Sequence, residues 1–250
     1  MDSLDKNFLL AIGYQKTGST WLDHHLWAHP QIGFYNVKSR ALRQIIVGTR
    51  PLEFNLTHCR AQVRQRLPLI PANKMPVIGM ERLCGSPHSG GYDSKEIADR
   101  LANLFPNAKV LIVIREQHQM ILSTYNQSVK GGNSMTLHEY ITESQSGRYA
   151  VPHFDRARFC YHHLINYYIA RFGRANVLVL PYEQFCTTPR TFVEQIVRFA
   201  GITVDDALID TLPFTQRTRT SFSPRAVTVL RQFNAWVGQR NQFTPHPILP

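Results

Sequence analysis

The chain has 250 residues, enough for one large domain or two small ones with a substantial core. Hydrophobic residues make up 43% and charged residues only 18%, which excludes a disordered basic tail, and four scattered cysteines (Cys59, Cys84, Cys160, Cys186) without a CxxC pair argue against a disulfide framework or a zinc knuckle. Lys and Arg outnumber Asp and Glu by 28 to 17, and the resulting +11 points to an anionic ligand without naming it.

The first apolar run, Phe8–Ile12, and the later Val110–Ile114 fall far short of the roughly 20 residues that span a bilayer. The opening Met-Asp-Ser-Leu-Asp-Lys is acidic and lacks an apolar signal-peptide segment, so the expected location is the cytoplasm with reduced thiols. Residues 8–13 read as a buried strand, and a glycine-bearing loop joins it to a helix from about Ser19 to Ala28, stopped by Pro30. Residues 31–74 break the rhythm: eight cations (Lys38, Arg40, Arg43, Arg50, Arg60, Arg64, Arg66, Lys74) stand against Glu53 alone. This stretch reads as a helical insertion on the acceptor side, either a solvated face or a rim that attracts an acidic or membrane-surface partner.

Residues 75–80 follow as a short strand. Ser94 is expected to cap a helix from about Lys95 to Leu104, with Pro106 and Asn107 as its stop. Lys109–Ile114 is the clearest strand, and a helix from Gln117 to Val129 follows it, ending at Gly131-Gly132. An aromatic-rich helix is expected over 155–172, a strand over Val177–Leu180, a helix over Pro189–Ala200 ended by Gly201, and an extended proline-rich tail over 240–250. Strands that are apolar throughout, alternating with helices, predict an α/β fold: a parallel sheet covered by helices on both faces, built as a single domain over 1–250.

The loop Gly13-Tyr-Gln-Lys16-Thr17-Gly18-Ser19-Thr20 follows a strand and opens a helix, the context in which free backbone N–H groups cradle a phosphate. It departs from the nucleotide-hydrolase loop G-x-x-x-x-G-K-[ST]: Ser19 occupies the usual lysine position, and the lysine comes earlier, at Lys16. A hydrolase also needs an aspartate for Mg²⁺ at the end of another core strand, and the best such strand ends in Arg115. Protein cations, rather than a metal, are therefore expected to neutralise the phosphate.

The run Gln15-Lys16-Thr17-Gly18-Ser19-Thr20-Trp21 resembles the phosphosulfate loop of the sulfotransferase family, P-K-[ST]-G-[ST]-[ST]-W, with Gln15 in place of the proline. The resemblance implies a P-loop-like three-layer fold and use of 3′-phosphoadenosine 5′-phosphosulfate (PAPS), which leaves as 3′-phosphoadenosine 5′-phosphate (PAP). It implies that Lys16 contacts the bridging oxygen, that Thr17, Gly18, Ser19 and Thr20 hold the 5′-phosphate, and that Trp21 lies either near the adenosine or in the core. The family's second motif, an arginine at a strand end and a serine eight residues later on the 3′-phosphate, is matched by Arg115 and Ser123. The run Asn176-Val-Leu-Val-Leu-Pro181-Tyr182-Glu183-Gln-Phe185 resembles the family's late strand and helix, and Arg217 and Arg219 are candidates for its basic loop over the cofactor.

Transfer to a hydroxyl needs a group to take the proton. Glycan-modifying members of the family often place a glutamate after the His-Pro that follows the loop, and small-molecule members a histidine just past the next strand; His29-Pro30 is present here, but Tyr35–Arg40 holds no carboxylate. Glu81, just past the next strand and beside Arg82, is the first candidate, with His58 and His88 behind it. The implied reaction is sulfuryl transfer, without metal, to a hydroxyl or amine of an acceptor left open between a glycan, a glycolipid and a small metabolite. The alternatives are a P-loop kinase or nucleotide hydrolase, and a non-catalytic polyanion binder; nucleic acid is not expected, because aromatics do not interleave with the basic stretch.

Overall fold

The computed structural model describes residues 4, 6–142, 154–216 and 223–237. Arg217, Arg219 and the 240–250 tail lie outside the described residues. The chain divides into two compact units. The first comprises Met1–Gly85, Asp93–Glu116 and Tyr161–Thr218; the second comprises Ser86–Tyr92, Gln117–Cys160 and Arg219–Pro250.

The first unit is built on a five-stranded sheet of β1 (Leu9–Ala11), β2 (Phe34–Asn36), β3 (Met75–Gly79), β4 (Lys109–Ile114) and β5 (Val177–Pro181). The order is β2-β3-β1-β4-β5, and every pairing is parallel. Parallel strands must return through crossovers that cover both faces, which is why β4 is apolar from Val110 to Ile114. Its side chains divide by period two: Leu111 and Val113 join Leu9, Val77 and Leu180 in one core. That core takes Trp21, Leu22, Leu26 and Trp27 from the segment after β1, and Phe192, Val193, Ile196, Val197 and Ala200 from α9 (Pro189–Ala200). The α9 residues form one stripe at helical spacing. Proline starts this helix, and Gly201 ends it at φ 75°, with the Ile202 N–H reaching back to Val197 O. The buried faces of α4 (Ser94–Leu104) and α7 (Tyr161–Phe172) also pack within this unit.

Three expectations change. Residues 31–74 are not purely helical: β2 forms the sheet edge, Phe34 opposite Met75, before α2 (Arg40–Arg43) and α3 (Leu56–Arg66). Ser94 does not cap α4; Asp93 holds that position, and the Ser94 hydroxyl donates to Cys84 O at 2.9 Å. The helix expected over 155–172 is broken at Cys160. Asp155 caps a short 3₁₀ turn, Arg156–Phe159, through the Ala157 N–H, and α7 begins only at Tyr161.

In the second unit, α5 (Gln117–Lys130), α6 (Leu137–Thr142) and α11 (Pro224–Val237) pack together. Asn234 Nδ2 donates to Val129 O and Asn133 O, which fastens α11 to the end of α5. The first unit holds two further short helices, α8 (Tyr182–Thr187) and α10 (Asp206–Asp210). No helix among the described residues is long and apolar enough to cross a membrane.

Arg100 on α4 holds the basic segment to the sheet. It is buried, donating to Ile46 O at 2.8 Å and Thr49 O at 2.7 Å, and pairing with Glu96. Removing it strands two carbonyls and a carboxylate. Arg100→Met should therefore cost about 3 kcal/mol in urea unfolding and open residues 46–50 to proteolysis first.

Candidate active site at the carboxyl ends of the strands

The loop after β1 takes its shape from the neighbouring strand. Ile12 N bonds Leu111 O and Tyr14 N bonds Val113 O, so the chain runs beside β4 before turning away. Lys16 then adopts φ 61°, a left-handed conformation that costs a side-chain-bearing residue, and Gly18 follows at φ 83°. The Thr17 hydroxyl is buried and donates to Tyr14 O, closing the turn from within. A Cβ on Gly18 would meet the rings of Tyr182 and Phe185 at 3.4 Å, a contact the site can take, so the glycine is required by its dihedral.

Gly18 caps α1 (Ser19–Trp21), which runs on as a π-helical turn, Leu22–Leu26. The Trp21 N–H bonds Gly18 O at 3.0 Å; the Ser19 and Thr20 N–H groups precede it at the helix start, and with the Ser19 and Thr20 hydroxyls they form a donor set suited to an anion. Trp21 is 2% exposed; its ring stacks on Phe214, 5.5 Å between centroids, and its Nε1–H donates to Pro213 O. Of its two expected places, the core is the one it occupies.

Arg115, 99 residues from Lys16, comes to the loop. Its Nη1 donates to Lys16 O at 3.2 Å, its guanidinium lies 5.2 Å from the Tyr182 ring centroid, and Tyr161 Oη donates to its carbonyl at 2.7 Å. Glu183 accepts from the Glu116 N–H at 3.0 Å. The two cations implied for the phosphates thus belong to one construction, braced by Tyr182 and Glu183 at the start of α8. Ser123 lies on α5 and belongs to the second unit.

Glu81 stands at the start of a 3₁₀ turn after β3, exposed, and its Oε1 accepts from the Ser19 hydroxyl at 3.3 Å. Arg82 pairs with Asp93 at 2.8 Å and not with Glu81. His58 is on the exposed side of α3, its ring nitrogen 2.8 Å from Gln62 Nε2. His88 falls in the Pro87–Ser89 turn of the second unit. No described contact joins His58 to the loop.

One site residue escaped the sequence reading. Asp23 lies one turn after Ser19 on the same helix face, and Asn36 Nδ2 at the end of β2 donates to its carbonyl at 3.2 Å and to Oδ1 at 3.4 Å. Burial raises its carboxyl pKa, and the Glu81 charge adds to the rise; Lys38, Asn36 and His24 oppose it. A half-buried aspartate one turn past a phosphate loop is a findable signal once the strand ends are known. Among the described residues, no group of three His, Cys, Asp or Glu side chains could hold a metal ion.

A family model described as the sulfotransferase domain matches residues 6–219. A solved sulfotransferase from Alicyclobacillus acidocaldarius is similar over 95% of this chain and 98% of its own, with 18% identity and a TM-score of 0.62. A sulfotransferase from Mycobacterium tuberculosis is similar over 93% of this chain and 77% of its own, at 15% identity and a TM-score of 0.46. A mouse sulfotransferase complexed with PAP is similar over 84% of this chain and 64% of its own, at 16% identity and a TM-score of 0.40. No curated protein matches the chain by sequence.

The Asp23 shift has a sign that stability measurements read. An acid whose pKa is higher folded than unfolded binds its proton more tightly in the folded state, so stability falls as pH rises through the raised value. That loss begins above the ordinary value and is full once pH passes the raised one. Asp23→Asn, which keeps an acceptor for Asn36, should raise the urea midpoint at pH 7, and the gain should vanish as pH falls toward the ordinary value of 3.8.

Proposed function

The chain belongs to the sulfotransferase family, and from that premise we propose how its residues divide the work of sulfuryl transfer from PAPS to an acceptor hydroxyl. PAPS, when bound, supplies the sulfuryl group on a phosphosulfate whose 5′-phosphate is the leaving side. The Lys16 ammonium, the first-turn N–H groups and the Ser19 and Thr20 hydroxyls hold negative charge at that phosphate. A preorganised donor set is worth most where charge grows during reaction, because it needs no rearrangement then. The observation that carries this reading is the hydrogen bond from Arg115 to Lys16 O, which joins the arginine of the second phosphate motif to the loop of the first.

The fit to a doubly phosphorylated ligand rests on the same donors. Lys16 and the helix start suit the 5′ side, and Arg115, with its forked donors, suits the 3′-phosphate. Ser123 remains assigned to the cofactor on its spacing from Arg115 alone, and Arg217 and Arg219 as the candidate substitute for the family's basic loop. Glu81 takes the acceptor proton; its contact with Ser19 places a carboxylate beside the loop, and Asp23 is the neighbouring charge that acts on it. Protein cations do the work of a metal in this reading. Cytoplasmic location belongs to it too, supported by cysteines that are all free. The acceptor is a hydroxylated or amine-bearing molecule that approaches Glu81.

Thermal shift with PAP tests the cofactor assignment. PAP should raise Tm of the wild type, and Lys16→Ala and Arg115→Ala should each abolish most of the shift. A wild-type Tm indifferent to PAP, or variants that shift as the wild type does, would sink it.

The base is tested by release of PAP from PAPS across a panel of phenolic, alcoholic and glycan acceptors. Glu81→Gln should cut turnover about 10²-fold or more and leave the PAP-induced shift intact. Near-normal turnover would transfer the role to another group, Asp23 first.

A further inference from the structure

The cationic segment between β2 and β3 carries hydrocarbon at full exposure. Leu52 is 102% exposed and Leu69 is 95% exposed. They stand just beyond opposite ends of α3, which spans roughly 16 Å at 1.5 Å per residue. Each follows a proline, Pro51 and Pro68, which fixes the backbone before the tip. Leu56, at the first position of α3, is also exposed. The helix buries Cys59 and Val63 and turns Arg64 and Arg66 outward, and Arg50 is 82% exposed with only a 3.9 Å surface contact to Glu53.

We propose that this face, from Arg50 to Leu69, docks on an anionic lipid surface, with Leu52 and Leu69 entering the headgroup layer and the arginines pairing with lipid phosphates. Eight cations against one carboxylate over residues 31–74 would suit any polyanion. The leucines decide between them, because a soluble polyanion gives an exposed isobutyl group nothing. They also stand apart, with α3 and its polar and cationic positions between them. A protein interface gathers its apolar anchors into one desolvated centre. Separate apolar points in a basic field match a surface that is anionic outside and hydrocarbon beneath. Rigid tips held by proline, on a segment fastened through Arg100, lose little freedom on insertion. The face uses none of the residues assigned to transfer, so its failure is separable from failure of that reading.

Co-sedimentation with vesicles tests the proposal on the whole chain. The protein should pellet with phosphatidylcholine vesicles carrying roughly 30 mol% phosphatidylserine and stay largely in solution with phosphatidylcholine alone. Leu52→Glu with Leu69→Glu should weaken binding tenfold or more while the PAP-induced Tm shift persists. Leu52→Ser with Leu69→Ser should weaken it less. Arg50→Ala with Arg66→Ala should weaken it and flatten its dependence on salt. Three results would overturn the proposal: no binding to the anionic vesicles, including the case where heparin alone retains the protein; binding indifferent to both leucine pairs; or binding lost instead in Trp236→Glu, whose ring is exposed on α11 of the second unit.

Discussion

A single carbonyl ties the site together. Lys16 O accepts from Arg115, and it faces that arginine because Lys16 is held at φ 61°. An extended lysine would turn its carbonyl elsewhere, so the strained dihedral and the long-range hydrogen bond sustain each other. The sheet makes the meeting possible. β1 and β4 are neighbours in parallel register, and Tyr14 N still bonds Val113 O after β1 has ended. A loop that leaves β1 therefore begins two residues from the end of β4, where Arg115 is. Two cations 99 residues apart in sequence become one local arrangement through strand order alone. Ligands of open parallel sheets bind beyond the carboxyl ends of the strands for this reason.

Beneath the carbonyl, the support is aromatic. Tyr182 and Phe185 fill the space behind Gly18, Tyr182 also lies against the Arg115 guanidinium, and Phe185 packs on Trp21 and Phe192. The start of α8 thus carries the phosphate loop on one side and the core on the other. A change at Tyr182 would reach both cations without touching either ligand-binding atom. The same logic places Trp21: a large ring directly after the loop is better used to anchor the helix start than to meet a ligand, and its one polar atom is satisfied by Pro213.

Residues that carry their own local signal were legible. β4 is apolar from Val110 to Ile114 because both its faces are covered, and its bounds are those read from the sequence. α9 announces itself with proline first and glycine last. The turn after β1 was legible as a strand-to-helix junction because glycine and a start of small polar residues mark it locally. What escaped depends on partners remote in sequence. β2 is three residues on a sheet edge inside a cationic stretch, and only its pairing with β3 makes it a strand. Ser94 has the chemistry of a cap, but Cys84 O, ten residues back, competes for its hydroxyl and Asp93 takes the position. The aromatic run over 155–172 reads as one helix because apolar spacing continues through Cys160, whereas Asp155 starts a tighter turn there. Asp23 was hidden for the same reason as β2: its environment is made by Asn36 and Gly79, at the ends of strands that no local pattern places beside it.

Under the two proposals, the charge of +11 has two distinct physical uses. At the strand ends, a few cations are fixed by backbone geometry, and their value lies in being held still where charge develops. Across 31–74 the cations are numerous, most of them exposed, and spread over α2, α3 and the loops between, the arrangement of a long-range field rather than of a binding pocket. A field of that kind is cut down by salt within about 10 Å at 0.1 M, so it can orient the protein only near a dense anionic surface. The fixed pair at Lys16 and Arg115 works at contact distance, where such screening is weak. Salt should consequently separate the two uses: raising it removes the attraction of the basic face well before it empties the phosphate site. An acceptor presented at an anionic surface would be taken up in low salt at a site whose chemistry is nearly indifferent to it.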